Sequence, residues 1–126
     1  MTGSKLGKIA WVDLTVENAD QVRDFYQAVA GWSPQPVEMD GYADYTMLTG
    51  AGEAAAGVCH ARGVNAAMPP QWMVYISVAD LDESLAACQR LGGQVVVPIR
   101  GEAGSRFAVI QDPAGAVCAL YEQRDQ

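Results

Sequence analysis

The sequence predicts an α+β fold built from two βαβββ modules. Three observations carry this: an internal repeat, a strand-then-helix pattern heading each copy, and turn residues that cut the rest of each copy into three short strands. Residues 11–31, WVDLTVENADQVRDFYQAVAG, align without gaps with residues 73–93, MVYISVADLDESLAACQRLGG. Val16 matches Val78, Asn18 matches Asp80 and Gly31 matches Gly93, all at an offset of 62. A period of this length marks a duplicated supersecondary unit.

Each copy opens on alternation of period two, Val12, Leu14, Val16 and then Val74, Ile76, Val78, as in a strand with one buried face. Asn18 and Asp80 follow as polar helix caps. Val22, Phe25, Tyr26 and Val29 form an apolar stripe on the first helix, and Leu81, Leu85, Cys88 and Leu91 form one on the second. Gly31 and Gly92-Gly93 supply left-handed stops. Strands are then expected near Gln35–Glu38, Tyr42–Leu48 and Ala54–His60, broken by Asp40-Gly41 and Gly50-Ala51-Gly52. Their second-half counterparts lie near Gln94–Ile99, Arg106–Gln111 and Ala116–Glu122, broken by Gly101–Gly104 and Asp112-Pro113-Ala114-Gly115. Residues 1–126 read as one domain, with modules 8–60 and 71–122 joined by linker 61–70, which contains Pro69-Pro70. A doubly wound parallel sheet needs more helices than this pattern offers.

The chain has 126 residues, of which 50% are apolar, enough for a hydrophobic core. Fifteen acidic residues against 8 basic ones give a net charge of −7. That balance disfavours nucleic acid and anionic membrane surfaces, which both need clustered Lys and Arg. No apolar run reaches the roughly 18 residues of a membrane span, and the polar segment Met1–Lys8 lacks the apolar core of a signal peptide. Cys59, Cys88 and Cys118 are odd in number and widely spaced, which favours reduced, buried thiols. The expected location is the cytoplasm.

The repeat, Phe25-Tyr26, Gly31-Trp32, the Trp72–Asp80 stretch, Gly92-Gly93 and the run Arg106–Ala116 resemble the vicinal oxygen chelate superfamily of glyoxalases, bleomycin-resistance proteins and extradiol dioxygenases. The resemblance covers nearly the whole chain and implies an open eight-stranded cup and, commonly, a homodimer. In the metal enzymes of that family, four strands each contribute a His, Glu or Gln to a divalent ion. The corresponding positions here are Trp11, Gly57, Met73 and Ala119, and both Trp11 to Met73 and Gly57 to Ala119 repeat the offset of 62. None suits a hard or borderline divalent ion, apart from the poor thioether of Met73. With a single histidine in the chain, no metal and no cofactor are expected.

Strand alternation assigns faces. Val12, Leu14, Val16 and Val74, Ile76, Val78 pack under the helices, so Trp11, Asp13, Thr15 and Met73, Tyr75, Ser77 face the cup. Ala55, Gly57, Cys59 and Val117, Ala119, Tyr121 join them. The expected binding residues are Trp11, Thr15, Gly57, Cys59, Met73, Ser77, Ala119 and Tyr121, around a flat or apolar small molecule. Asp13 is the candidate general acid or base, and Tyr75 the candidate O–H donor to a carbonyl oxygen. The alternatives are a partly solvated Asp13 bonded to a neighbouring strand and a core Tyr75. Trp11 and Met73 either stack on a ligand or fill the vacated metal cavity. Trp72 reads as a core or linker anchor, and Cys59 as a small hydrophobe. His60 is expected at a surface or hairpin, with a rim acid or base as its sharper reading. Arg106 is expected to pair with a carboxylate rather than with an anionic ligand.

Two functions fit this pattern. One is metal-independent proton-transfer chemistry (enolisation, dehydration or cyclisation) on an apolar, aromatic polyketide-like carbonyl compound. The other is non-catalytic sequestration of an aromatic antibiotic or metabolite. Asp13 inside the cup favours the first.

Overall fold

The computed structural model describes residues 6–102 and 105–123. Most of the polar N-terminal segment, and Ala103-Gly104 of the expected break at Gly101–Gly104, lie outside the described residues. The strands and helices run β1 (Ile9–Val16), α1 (Ala19–Ala30), β2 (Ser33–Glu38), β3 (Ala43–Leu48), β4 (Ala54–His60), β5 (Trp72–Val78), α2 (Leu81–Arg90), β6 (Gln94–Arg100), β7 (Phe107–Gln111) and β8 (Val117–Glu122). This is βαβββ twice, as the repeat predicts, with one 3-10 turn, Gly63–Asn65, between β4 and β5. No helix among the described residues is long and apolar enough to cross a membrane. The described residues form two compact units: residues 12–72, and those from 73 onward together with 6–11.

In the unit of residues 12–72, the strands lie in the order β2-β3-β4-β1, with β1 parallel to β4 and the other neighbours antiparallel. Val58, Tyr45, Met47 and Ala19 form the core, with Val16, Val22, Tyr26, Trp32 and Trp72 packed against it. Trp72 is a core anchor: its indole N–H donates to Tyr26 Oη at 3.1 Å, and its ring meets Trp32 edge-on at 5.8 Å. The apolar stripe of α1 is narrower than expected, because Phe25 and Val29 are 55% and 66% exposed. The four positions split into two i,i+4 ridges, and only the Val22–Tyr26 ridge lies over the sheet. Asn18 does not cap α1 as expected. Its amide donates to Gln21 Oε1 at 3.0 Å, so it has no hydrogen bond to the first-turn N–H groups. Gly31 ends the helix with φ 75°, a left-handed conformation that favours glycine.

In the other unit the order is β5-β8-β7-β6, with β5 parallel to β8. The chain ahead of β1 bonds to β5: Gly7 N–H donates to Ser77 O at 2.7 Å, and Ser77 N–H donates to Lys8 O at 2.9 Å. Leu81, Ala108 and Leu120 form the core, with Ile76, Val78, Leu85 and Ile110 against it. Asp80 does cap α2, accepting from Glu83 N–H at 3.2 Å. Leu91, expected on the apolar stripe, is 69% exposed because the helix ends at Arg90 and the chain turns away there. Gly92 takes the left-handed φ of 98°, whereas Gly93 answers a need for space. A Cβ on Gly93 would stand 2.7 Å from Cys88 Sγ and 2.8 Å from Gln111 O. The three cysteines are free and half-buried rather than fully buried.

Candidate functional site

Each module has one sheet face under its helix and one face away from it, called here the open face. Val16 and Val58 lie under α1, so alternation turns Asp13, Thr15, Gly57 and Cys59 to the open face of the first module. Parallel pairing sets Asp13 beside Gly57 and Thr15 beside Cys59. Antiparallel pairing sets Thr46 beside Gly57 from the other side, and the same register brings Asp44 next to Cys59. Thr15 and Asp44 are buried, Asp13 is half-buried, and Asp13 Oδ1 is closed off from solvent. Burial, and then the charges of Asp13 and Asp44, push the Cys59 thiol up to about 12. Cys59 is therefore a neutral thiol flanked by two carboxylates, and no nucleophile at neutral pH.

Asp44 is the site residue that the sequence reading left out. Alternation applied to β3 would have found it, since Tyr45 and Met47 enter the core and turn Asp44 and Thr46 to the open face. His60 ends β4 and completes this edge. Its backbone N–H donates to Asp44 Oδ1 at 2.8 Å, and its Nδ1 lies 3.2 Å from the same oxygen. Its Nε2 lies 3.5 Å from Asp20 Oδ1 on α1. Tyr45 O–H donates to that oxygen at 2.6 Å and accepts from Arg23 at 2.8 Å. The Tyr45 hydrogen bond, followed by the charges of His60 and Arg23, outweighs desolvation and lowers the pKa of Asp20. His60 therefore stands at the end of β4, 15% exposed, inside a hydrogen-bonded cluster.

The open face of the second module is aromatic and apolar. Tyr75 pairs beside Ala119, and Ser77 beside Tyr121. Phe107 and Val109 of β7 lie opposite Tyr121 and Ala119. The rings of Tyr75 and Phe107 are 6.2 Å apart, inclined at 59°. Met73, Ser77 and Ala119 are buried, whereas Tyr75 and Tyr121 are half-buried. Ser77 O–H donates to Gln123 Oε1 at 3.1 Å, and both line a recess of about 250 Å³ together with Lys8 and Ala10. Trp11 is half-buried.

Arg106 is an ion-pairing residue. Its Nε and Nη2 donate to the two oxygens of Glu122 at 3.1 and 2.8 Å, and Nη2 also donates to Asp82 at 3.1 Å. Glu122, then Asp82, raise the guanidinium pKa. Glu122 is fully buried and also accepts from Leu81 N–H, at the start of α2, at 2.9 Å.

The residues at the family's metal positions do not fit a divalent ion. An indole, a glycine, a thioether and a methyl group offer one weak donor between them. Among the described residues, no three His, Cys, Asp or Glu side chains converge as metal ligands.

Residues 8–120 match the family described as the Glyoxalase/Bleomycin resistance protein/Dioxygenase superfamily. CFP32 of Mycobacterium tuberculosis, which carries a provisional glyoxylase name, is 32% identical over 124 residues, 98% of this chain and 47% of that protein. The anthracycline biosynthesis protein DnrV of Streptomyces peucetius is 29% identical over 94% of this chain and 42% of that protein. The chain thus spans about half the length of these curated relatives. Among solved structures, methylmalonyl-CoA epimerase from M. tuberculosis superposes with a TM-score of 0.56 at 19% identity, covering 99% of this chain and 93% of that one. A single-residue variant of the Streptomyces coelicolor epimerase, in complex with 2-nitronate-propionyl-CoA, gives a TM-score of 0.54 at 20% identity, over 95% of this chain and 99% of that one. The α+β fold of two βαβββ modules is the glyoxalase/bleomycin-resistance fold, and the chain belongs to that superfamily.

Proposed function

We propose that this protein is a metal-independent enzyme that enolises an apolar, aromatic polyketide-like ketone, the first step of an isomerisation, dehydration or cyclisation. The observation that carries the reading is the open face of the first module. There a carboxylate, Asp13, with one oxygen closed off from water, stands beside Gly57 and next to Thr15 and Cys59. Asp13 takes a proton from the carbon next to the carbonyl, and the C–H electron pair moves into the carbonyl to give the enolate. The carboxylate acts as the general base of this step. Within the same module, Thr15, Gly57 and Cys59 line the face on which the substrate lies against Asp13. The relation to DnrV, a protein of anthracycline biosynthesis, supports a polycyclic aromatic substrate. The same proposal includes a cytoplasmic homodimer.

The test is hydrogen–deuterium exchange next to the carbonyl of bicyclic and polycyclic aromatic ketones, β-tetralone included, in D2O after purification with and without chelator. Exchange above the buffer rate, equal in both preparations and without stoichiometric metal by elemental analysis, is the expected result. The contrary result is saturable quenching of tryptophan fluorescence by these ketones with no exchange and no chemical change. That outcome assigns the protein to sequestration, the reading favoured by the apolar, aromatic face of the second module.

A further inference from the structure

We infer that Asp44, His60 and Asp20 form a proton relay that connects the open face of the first module to solvent. The inference rests on the proton-transfer reading above and adds residues that it does not use. Asp44 is buried on the open face, in the same Cys59 neighbourhood as Asp13. His60 touches Asp44 with one ring nitrogen, at 3.2 Å, and approaches Asp20 with the other, at 3.5 Å. The side chain of Asp20 is 65% exposed, so a proton reaching it is in contact with bulk water. The three groups thus run from a buried carboxylate through an imidazole to an exposed carboxylate.

The surroundings hold this path in place. Tyr45 O–H fixes Asp20 Oδ1, and Arg23 fixes Tyr45 in turn. Tyr42 meets the imidazole edge-on at 5.4 Å, and Arg62 stacks over Tyr42 at 3.9 Å. The charged and titratable groups around His60 are therefore Asp44 and Tyr45 from β3, Asp20 and Arg23 from α1, and the Tyr42–Arg62 pair.

The step balances. The proton that Asp13 takes from substrate is handed to the Asp44 carboxylate on the same face, passes to Nδ1 of the imidazole as Nε2–H passes to Asp20, and leaves to water, and Asp13 is again ionised. Imidazole remains as its other tautomer, and a proton travelling inward restores it. No electrons are transferred, and no further reactant is consumed. A reaction that removes a proton from carbon and later returns one uses both directions.

The experiment measures exchange into β-tetralone in D2O for native protein and for H60Q, H60G, D44N and D20N, at low and high buffer concentration. The relay predicts that H60Q and D44N lower the maximal rate on the order of tenfold, with the half-saturating ketone concentration unchanged. D20N is predicted to have a smaller effect in the same direction. Added imidazole restores H60G towards the native rate and leaves D13N unrestored. If H60G does not fold, the buffer dependence of soluble H60Q serves instead: its rate rises with buffer concentration while the native rate stays flat. Native exchange with H60Q and D44N at native rates in dilute buffer overturns the relay and leaves the proposed function standing. Absence of exchange by the native protein removes the proposed function and the relay with it.

Discussion

The two modules close the same corner of the same fold in different ways. In the second, Asp82 of α2, Arg106 ahead of β7 and Glu122 at the end of β8 form an acid–base–acid chain, with the inner carboxylate, Glu122, fully buried. In the first, the repeat puts Asp20 at the position of Asp82 and His60 at that of Glu122, with Asp44 on β3 as the second acid. Arg106 cannot give up its proton at any pH a protein meets, and Glu122 also anchors the first N–H of α2. This arrangement is a fixed lock. The central group of the first corner is an imidazole, whose two ring nitrogens can each donate or accept a hydrogen bond, and the outer carboxylate is 65% exposed. One duplication has thus produced a structural clamp and a titratable chain. The open faces divide in parallel: acids and small residues around Cys59 in the first module, aromatic rings around Ala119 in the second.

The largest effect should fall on the clamp. Glu122→Ala strips Arg106 of its bidentate partner and leaves the buried Leu81 N–H without its acceptor, a loss of about 3 kcal/mol or more in urea unfolding. Asp44→Ala removes the acceptor of the His60 backbone N–H and the partner of its ring Nδ1 from a less enclosed corner, and should cost about 1–2 kcal/mol. Equal losses at the two positions would erase the distinction between clamp and chain.

A pH series sharpens the difference between the open faces. The Cys59 thiol is raised to about 12 in the folded protein, against 9.0 when unperturbed. The unfolded chain therefore releases this proton first as pH rises. The stabilisation is full below about pH 9 and is lost as pH climbs towards the folded value, at up to roughly 1.4 kcal/mol per pH unit. Cys59→Ala should flatten that decline in urea midpoints measured between pH 8 and 11. The smallest effect expected is on reactivity. Asp44→Asn removes one of the two charges that oppose the thiolate, so alkylation of Cys59 at pH 9 should quicken by a few-fold. An unchanged rate would mean that Asp44 does not face the thiol.

Much of this was legible in the sequence. The offset of 62 gives the module order, and period-two alternation gives the faces of β1, β4, β5 and β8, because Val16, Val58, Ile76 and Leu120 do enter the helix-side cores. Asp44 is legible only from alternation on β3, a strand that carries none of the family's metal positions. The environment of His60 was not legible. Its partners come from α1 and β3, 40 and 16 residues upstream, and no local spacing joins Asp20, Asp44 and His60. The helix stripes were overread because Phe25, Val29 and Leu91 have the right periodicity but lie beyond the edge of their sheet or helix. Asn18 looked like Asp80 and behaves differently, because an amide carries donors of its own and Gln21 is there to accept.

If Asp13 carries the proton, Asp13→Asn should stop the transfer, because the amide keeps the shape and removes the titration. Ketone exchange in D2O is followed across pH for the native and Asp13→Asn proteins, with ketone binding measured in parallel by tryptophan quenching. Expected are a loss of about 100-fold or more in exchange, nearly unchanged binding, and disappearance of one ionisation from the rate profile. Exchange by Asp13→Asn at the native rate, with the native pH profile, would contradict this role of Asp13.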